Sequence, residues 1–244
     1  MKKCYYLFLV FVLFAITQVY GQISTGGFPS SYKEPALQSK IVTPVITLPK
    51  LNIDDLLRED MQKQDSALRI GKLINVDIDF IKQSNKGKLI KDSSIIYTLK
   101  IIVPGAKTID LVFDSFFIPK GGELYVYKPN YSEVLGAFTS INNNAGGKFS
   151  IGPISGEEIL LEYSSCSDIS KIPPKLHINY ISHNYIDLTK VSLKRTTDCF
   201  IDVHCNSLVN KDIIRSVMRW RYFKDGFTYQ SSCALINQDV SNPN

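Results

Sequence analysis

From Gly71 to Leu188 the chain alternates. The stretches "KLINVDIDF", "SIIYTLKIIV", "TIDLVFDSFFI", "GELYVYKP", "KFSIGPI" and "EEILLEYSS" carry apolar side chains at about every second position. Successive side chains of a strand point to opposite faces, so a period of two collects the apolar set on one side. Between the runs stand "NKGK", "PGAK", "PKGG", "KPNYSE", "NNNAGG" and "ISGEE". These are Gly, Pro and Asn clusters of the kind that reverse a chain. A further strand fits "KLHINYISHNYIDL". Short strands at regular spacing predict a mainly β fold, an antiparallel β-sandwich with a core of its own. Tyr97, Phe113, Phe116, Tyr125, Tyr127 and Phe138 fall on these strands and are read as core or sheet-face residues.

The flanks differ. "MKKCYYLFLVFVLFAITQVYGQ" has two lysines, an apolar run from Tyr5 to Ile16 and a small residue, Gly21, before Gln22. That order is a secretory signal over residues 1–21, with cleavage after Gly21. A membrane span needs about 20 apolar residues, more than this run supplies, so the expectation is an exported chain with no stable membrane insertion. Residues 22–70 read as an extended lead-in with one short helix in "NIDDLLREDMQKQDSAL", where Asp54 and Asp55 suit a helix N-terminus. After a polar connector, "DIIRSVMRWRYF" and "FTYQSSCALIN" look like the first strands of a new unit. About fifty residues rarely bury a core unaided, so residues 191–244 are expected to begin a second domain without completing it.

Export makes the medium disulfide-permissive for Cys166, Cys199, Cys205 and Cys233. Four cysteines allow three pairings, and the role of Cys166 stays open. Zinc at Cys199, His204, Cys205 and Cys233, with His177 and His183 upstream, is disfavoured, because C-x4-H-C is not a finger or ribbon spacing. The expectation is therefore no metal and no cofactor. A formal charge of +5 over 244 residues, with lysines interleaved with acids, gives no basic stripe for nucleic acid. Ser155 in "GPISGEE" lacks the order of a nucleophile elbow and reads as a turn. No complete catalytic apparatus is legible, and no catalytic residue is assigned.

"DCFIDVHC", then "DIIRSVMRW", then "SSCALINQDVSNPN" resembles the start of the mature domain in bacterial lysyl endopeptidase-like serine proteases, secreted trypsin-like enzymes of the chymotrypsin fold. The matching positions are Cys199, Val203, Cys205, Arg215, Val217, Cys233, Leu235, Ile236 and Asn237. Ala234 and Gln238 depart from the family pattern, and "TTD" stands where the family has a Gly-containing run. Upstream, "GAKTIDLVFDSFFIPKGGELYVYKPNYSEVLGAFT" resembles the β-rich pro-region of those enzymes, through Ile118, Pro119, Gly122, Leu124, Tyr125, Tyr127 and Gly136 to Thr139.

The resemblance implies a β-sandwich pro-region over residues 71–190, a processing region at Lys194 and Arg195, and the first strands of an incomplete chymotrypsin-like barrel over residues 191–244. It implies protein or peptide substrates cleaved after basic residues by a Ser-His-Asp triad. That triad is expected beyond Asn244, which leaves the chain inactive, and Cys199, Cys205 and Cys233 are expected to pair with cysteines later in the domain. The alternative class is a secreted β-sandwich module for adhesion or carbohydrate binding. Exposed aromatic platforms on a sheet face favour the module; an apolar face closed over a core does not.

Overall fold

The computed structural model describes residues 23–34, 42–62, 67–88, 95–165, 172–187 and 216–234. The secretory signal, Cys4, Cys166, Cys199, His204, Cys205, Lys194 and Arg195 lie outside the described residues. No described helix is long and apolar enough to cross a membrane.

The fold is mainly β, and its two sheets are largely antiparallel. The first joins β1 (Val45–Thr47), β4 (Ile95–Ile102), β9 (Glu158–Ser165), β6 (Gly122–Tyr127) and β7 (Val134–Phe138) in that order, with β3 (Asn85–Lys88) also on β4. β1 is parallel to β4 over Lys100–Ile102, and β3 takes the same edge over Ile95–Thr98. The second sheet runs β11 (Val217–Lys224), β12 (Phe227–Ala234), β2 (Leu68–Asp79), β10 (Lys175–Asn184), β5 (Thr108–Phe117), β8 (Phe149–Ser155). Among the described residues three α-helices accompany them: α1 (Ser30–Lys33), α2 (Ile53–Gln62) and α3 (Phe80–Gln83). α2 falls within the stretch read as helical, with Asp54 and Asp55 in its first turn.

The alternation explains how the sheets meet. Leu99, Ile101, Leu124, Val126, Leu161 and Tyr163 of the first sheet share one buried cluster with Ile78, Ile109, Leu111, Phe113, Ile178 and Ile181 of the second. Removing such side chains from water contributes about 1.5–3 kcal/mol each, the main favourable term of the fold. All six aromatic residues read as core or sheet-face are buried.

Two flanking regions are more tightly integrated than the sequence reading expects. Within the lead-in, residues 24–26 hydrogen-bond to β7, Thr25 and Gly26 donating their N–H groups to Ala137 and Gly136. β2 already begins at Leu68, inside the stretch read as lead-in.

The larger difference is at the far end. β11 and β12, expected to have no partner sheet, form a hairpin whose β12 pairs antiparallel with β2. Thr228 stands opposite Gly71, and the N–H of Leu73 donates to the carbonyl of Gly226 at 2.8 Å. The physical reason is the edge: without β12, one side of the twelve-residue β2 would leave its N–H and C=O groups open. The hairpin turns on Asp225 and Gly226, both at positive φ (49° and 78°). Asp-Gly is the dipeptide that supports such a two-residue turn.

Candidate functional site: the concave face of the second sheet

Three strands separate β11 from β5 in the second sheet. At about 4.8 Å per strand, a flat sheet would hold them roughly 19 Å apart, beyond the reach of any side chain. Yet Arg221 of β11 places Nη1 at 2.9 and 3.3 Å from the two carboxylate oxygens of Asp110 on β5. The sheet is therefore curled. Its core-free face is concave, and the hairpin closes over one end of the concavity.

At that end lies a chain of oriented hydrogen bonds. Thr228 of β12 meets Ser182 of β10, Ser182 donates to the Asn184 carbonyl oxygen at 2.9 Å, and the Asn184 amide donates to Thr108 at 3.0 Å and to Asp110. Arg221 then completes a loop that leaves the hairpin at Thr228 and returns to it. Asp110, Ser182, Asn184 and Thr228 are all buried. Burial pushes the Asp110 carboxyl above its ordinary range, while the Arg221 guanidinium and the Asn184 amide pull it down.

Two glycines make room for this network. A Cβ on Gly71 would sit 2.2 Å from the Asn184 carbonyl oxygen, and one on Gly152 would sit 2.7 Å from an Asp110 oxygen. Beside the network, the buried Arg69 binds Asp60 and Glu59 of α2 and lies 4.1 Å over the Phe227 ring. The hairpin is thus pinned by an ion pair, a hydroxyl relay and a cation–π contact.

Beyond the network the concavity opens into a cavity of about 960 Å³. Leu73, Val112, Phe149, Tyr180 and Phe223 supply apolar lining, and Asn179, Asp114, Lys148, Lys224 and Asp225 supply polar groups. Asn179 stands where the register of β10 slips against both of its neighbours, between Ile178 and Tyr180. Such a slip re-aims a side chain, and the carboxamide oxygen of Asn179 is buried with no hydrogen-bond partner.

His177 stands between two carboxylates. Its Nδ1 is 2.6 Å from Asp114 and its Nε2 is 2.7 Å from Asp77. Both nitrogens face carboxylate acceptors, which favours the doubly protonated ring, and the bonds to Asp77 and Asp114 raise its pKa. His183 is buried, with Nε2 3.0 Å from the Pro104 carbonyl. The Nδ1 of His183 is buried without a hydrogen-bond partner. Ser155 ends β8 rather than forming a turn, and its hydroxyl donates to Glu133 at 2.6 Å. Cys233 is the one cysteine among the described residues; its thiol is free, 3.7 Å from the Met218 carbonyl. Among the described residues no cluster of three His, Cys, Asp or Glu is placed to hold a metal.

The sequence reading did not single out Asp110, Asn184 or Arg221. Asp110 and Asn184 occupy the polar phase of alternating strands, where a solvated surface is the ordinary expectation. The available signal was "KDGF", which marks a hairpin ahead of "TYQSS". No protein-family model matches the chain, and no similar curated protein or solved structure was found.

Proposed function

We propose that the chain is the N-terminal part of a secreted trypsin-like serine endopeptidase precursor, lysyl endopeptidase-like in its motifs and non-catalytic in its described residues. On this reading the β-rich body is a β-sandwich pro-region. β11 and β12 are then the opening strands of a chymotrypsin-like barrel, held on the pro-region through β2. One observation carries the reading: the two stretches bearing the motif resemblance, around Val217 and around Cys233, lie on strands paired directly with each other, Met218 opposite Cys233. The resemblance places the two motifs on successive strands, and the Asp225–Gly226 turn joins those strands as one hairpin.

The same reading accounts for the histidines. His177 and His183 are each engaged in structural bonds, as expected of a region that assists or precedes an enzyme rather than performing acyl transfer. The test uses the protein from its native source. The reading expects a processed product whose N-terminus follows Arg195, co-purifying with amidase activity on lysyl substrates. The purified chain of residues 22–244 should show none. A mature product that runs uncut through Lys194 and Arg195, with no such activity, overturns the reading.

A further inference from the structure

We infer that the cavity on the concave face of the second sheet is a binding site for a neutral, polyhydroxylated ligand of the saccharide class. The inference does not rest on the precursor reading.

The first argument is shape and lining. At about 960 Å³ the cavity is at the upper end of the range in which small-molecule sites fall. Its aromatic walls, Phe149, Tyr180 and Phe223, come from three different strands. Flat apolar surfaces beside polar groups suit a ligand with C–H faces and hydroxyl edges.

The second argument is charge. Asp114 and Asp225 are matched by Lys148 and Lys224 around the lining, and Asp114 is further occupied by His177. The cavity therefore offers no net field to select an anion or a cation.

The third argument is the unmet acceptor. A buried amide oxygen without a donor costs free energy that no contact of the folded chain recovers. The Asn179 oxygen is such a group, buried behind a residue of the cavity wall, and a rotation of that side chain toward the cavity lets a ligand hydroxyl supply the donor. An extended peptide would also bring donors, but it is normally captured by adding to a sheet edge. Here β10, the strand that carries Asn179 and Tyr180, is paired with β2 on one side and β5 on the other, so most of the backbone of the cavity floor is committed and recognition there falls to side chains.

The test is saturation-transfer NMR and calorimetry on residues 22–244. The probes are neutral oligosaccharides of gluco, galacto, manno and N-acetylglucosamine configuration, with a tetra-alanine peptide as the competing class. The expected result is binding of at least one oligosaccharide and not of the peptide. Asn179→Ala and Phe223→Ser should each weaken that binding tenfold or more. Asn179→Ala should leave thermal stability unchanged or raised, because it removes an unpartnered polar atom; a merely structural asparagine would show the opposite. Should Phe223→Ser fail to fold, Tyr180→Ser replaces it with the same expected loss. Absence of binding by every oligosaccharide, binding unaffected by these substitutions, or binding of the peptide alone overturns the inference.

Discussion

The outer faces of the two sheets are finished in different ways. On the first sheet, the buried carboxyl of Glu162 is covered by α1, which reaches it from 131 residues away in sequence, and by Tyr127. Ser31 at the start of α1 donates its N–H to Glu162 at 3.1 Å, and the Tyr127 hydroxyl donates to the other oxygen at 3.1 Å. The Ser31 hydroxyl lies within hydrogen-bond distance of both Tyr127 and Tyr131, and Phe28, Tyr32, Tyr131 and Tyr127 stack outward from it. Every ring in that row has a ring neighbour, and the row runs from the buried Tyr127 to Phe28 and Tyr32, which are exposed. On the second sheet, the buried carboxyl of Asp110 is reached by a guanidinium from a hairpin more than a hundred residues away in sequence, and a cavity is left beside it. One carboxyl is buried with neutral donors and the other with a cation. The first face is closed by side chains that pack; the second is bridged and stays open.

The sharpest break in the comparison is Arg221→Ala. It strands Asp110 in a buried position, and removing one partner of a buried pair costs about 3–5 kcal/mol. Arg221 is 20% exposed, so the lower end, about 3 kcal/mol, is expected in urea unfolding. The double change Asp110→Leu with Arg221→Met should recover most of that loss, since it leaves no charge unpaired. A single variant within 0.5 kcal/mol of the parent, roughly the size of a surface change, would remove the ion pair from the account of the hairpin.

On the first sheet the matching variant is Tyr127→Phe. It removes one neutral donor to Glu162 and one partner of Ser31, with an expected loss of about 1–3 kcal/mol. A cost equal to that of Arg221→Ala would mean the two carboxyls are held in the same way.

Glu162→Gln sharpens the contrast through pH. Burial raises the Glu162 carboxyl above its ordinary range. Between its unfolded and folded pKa values the folded state keeps a proton that the unfolded state releases. Stability from this group is therefore full at low pH and falls as pH rises through that window. Gln should abolish that part of the slope in stability measured from pH 4 upward; an unchanged slope would place it elsewhere.

His177→Asn should have the smallest effect. The folded pKa of His177 is raised, so its contribution is full below about 6.5 and is lost as pH rises through the folded value. The expected reading is a shallower decline of stability above neutral pH, because the site is partly exposed and screened. If the variant keeps the parent's decline, the imidazolium bridge between Asp77 and Asp114 contributes nothing measurable.

Much of the body was legible because alternation and turn chemistry are local. "TIDLVFDSFF" becomes β5, "GELYVY" becomes β6, and their inward residues are those the period of two selects. What alternation cannot carry is which strand lies beside which. The seat of β12 on β2 joins Thr228 to Gly71, and no spacing within either strand encodes the other. For the same reason Asp110, in a polar phase, is buried. Burial of a strand's second face depends on what curls over it. Lys194, Arg195 and the cysteine pairings expected for Cys199 and Cys205 fall outside the described residues.

The central claim is that the hairpin belongs to the second sheet, and the amide of Leu73 reports on it directly. In the fold its N–H is donated to Gly226 of the hairpin, while other β2 amides are committed to β10. Native-state hydrogen exchange compares residues 22–244 with the same chain shortened to end at Leu188. The account predicts strong protection of Leu73 in the longer chain and its loss in the shorter one, with protection between β2 and β10 kept in both. Equal protection of Leu73 in the two chains, or none in either while the β2–β10 amides remain protected, would contradict it.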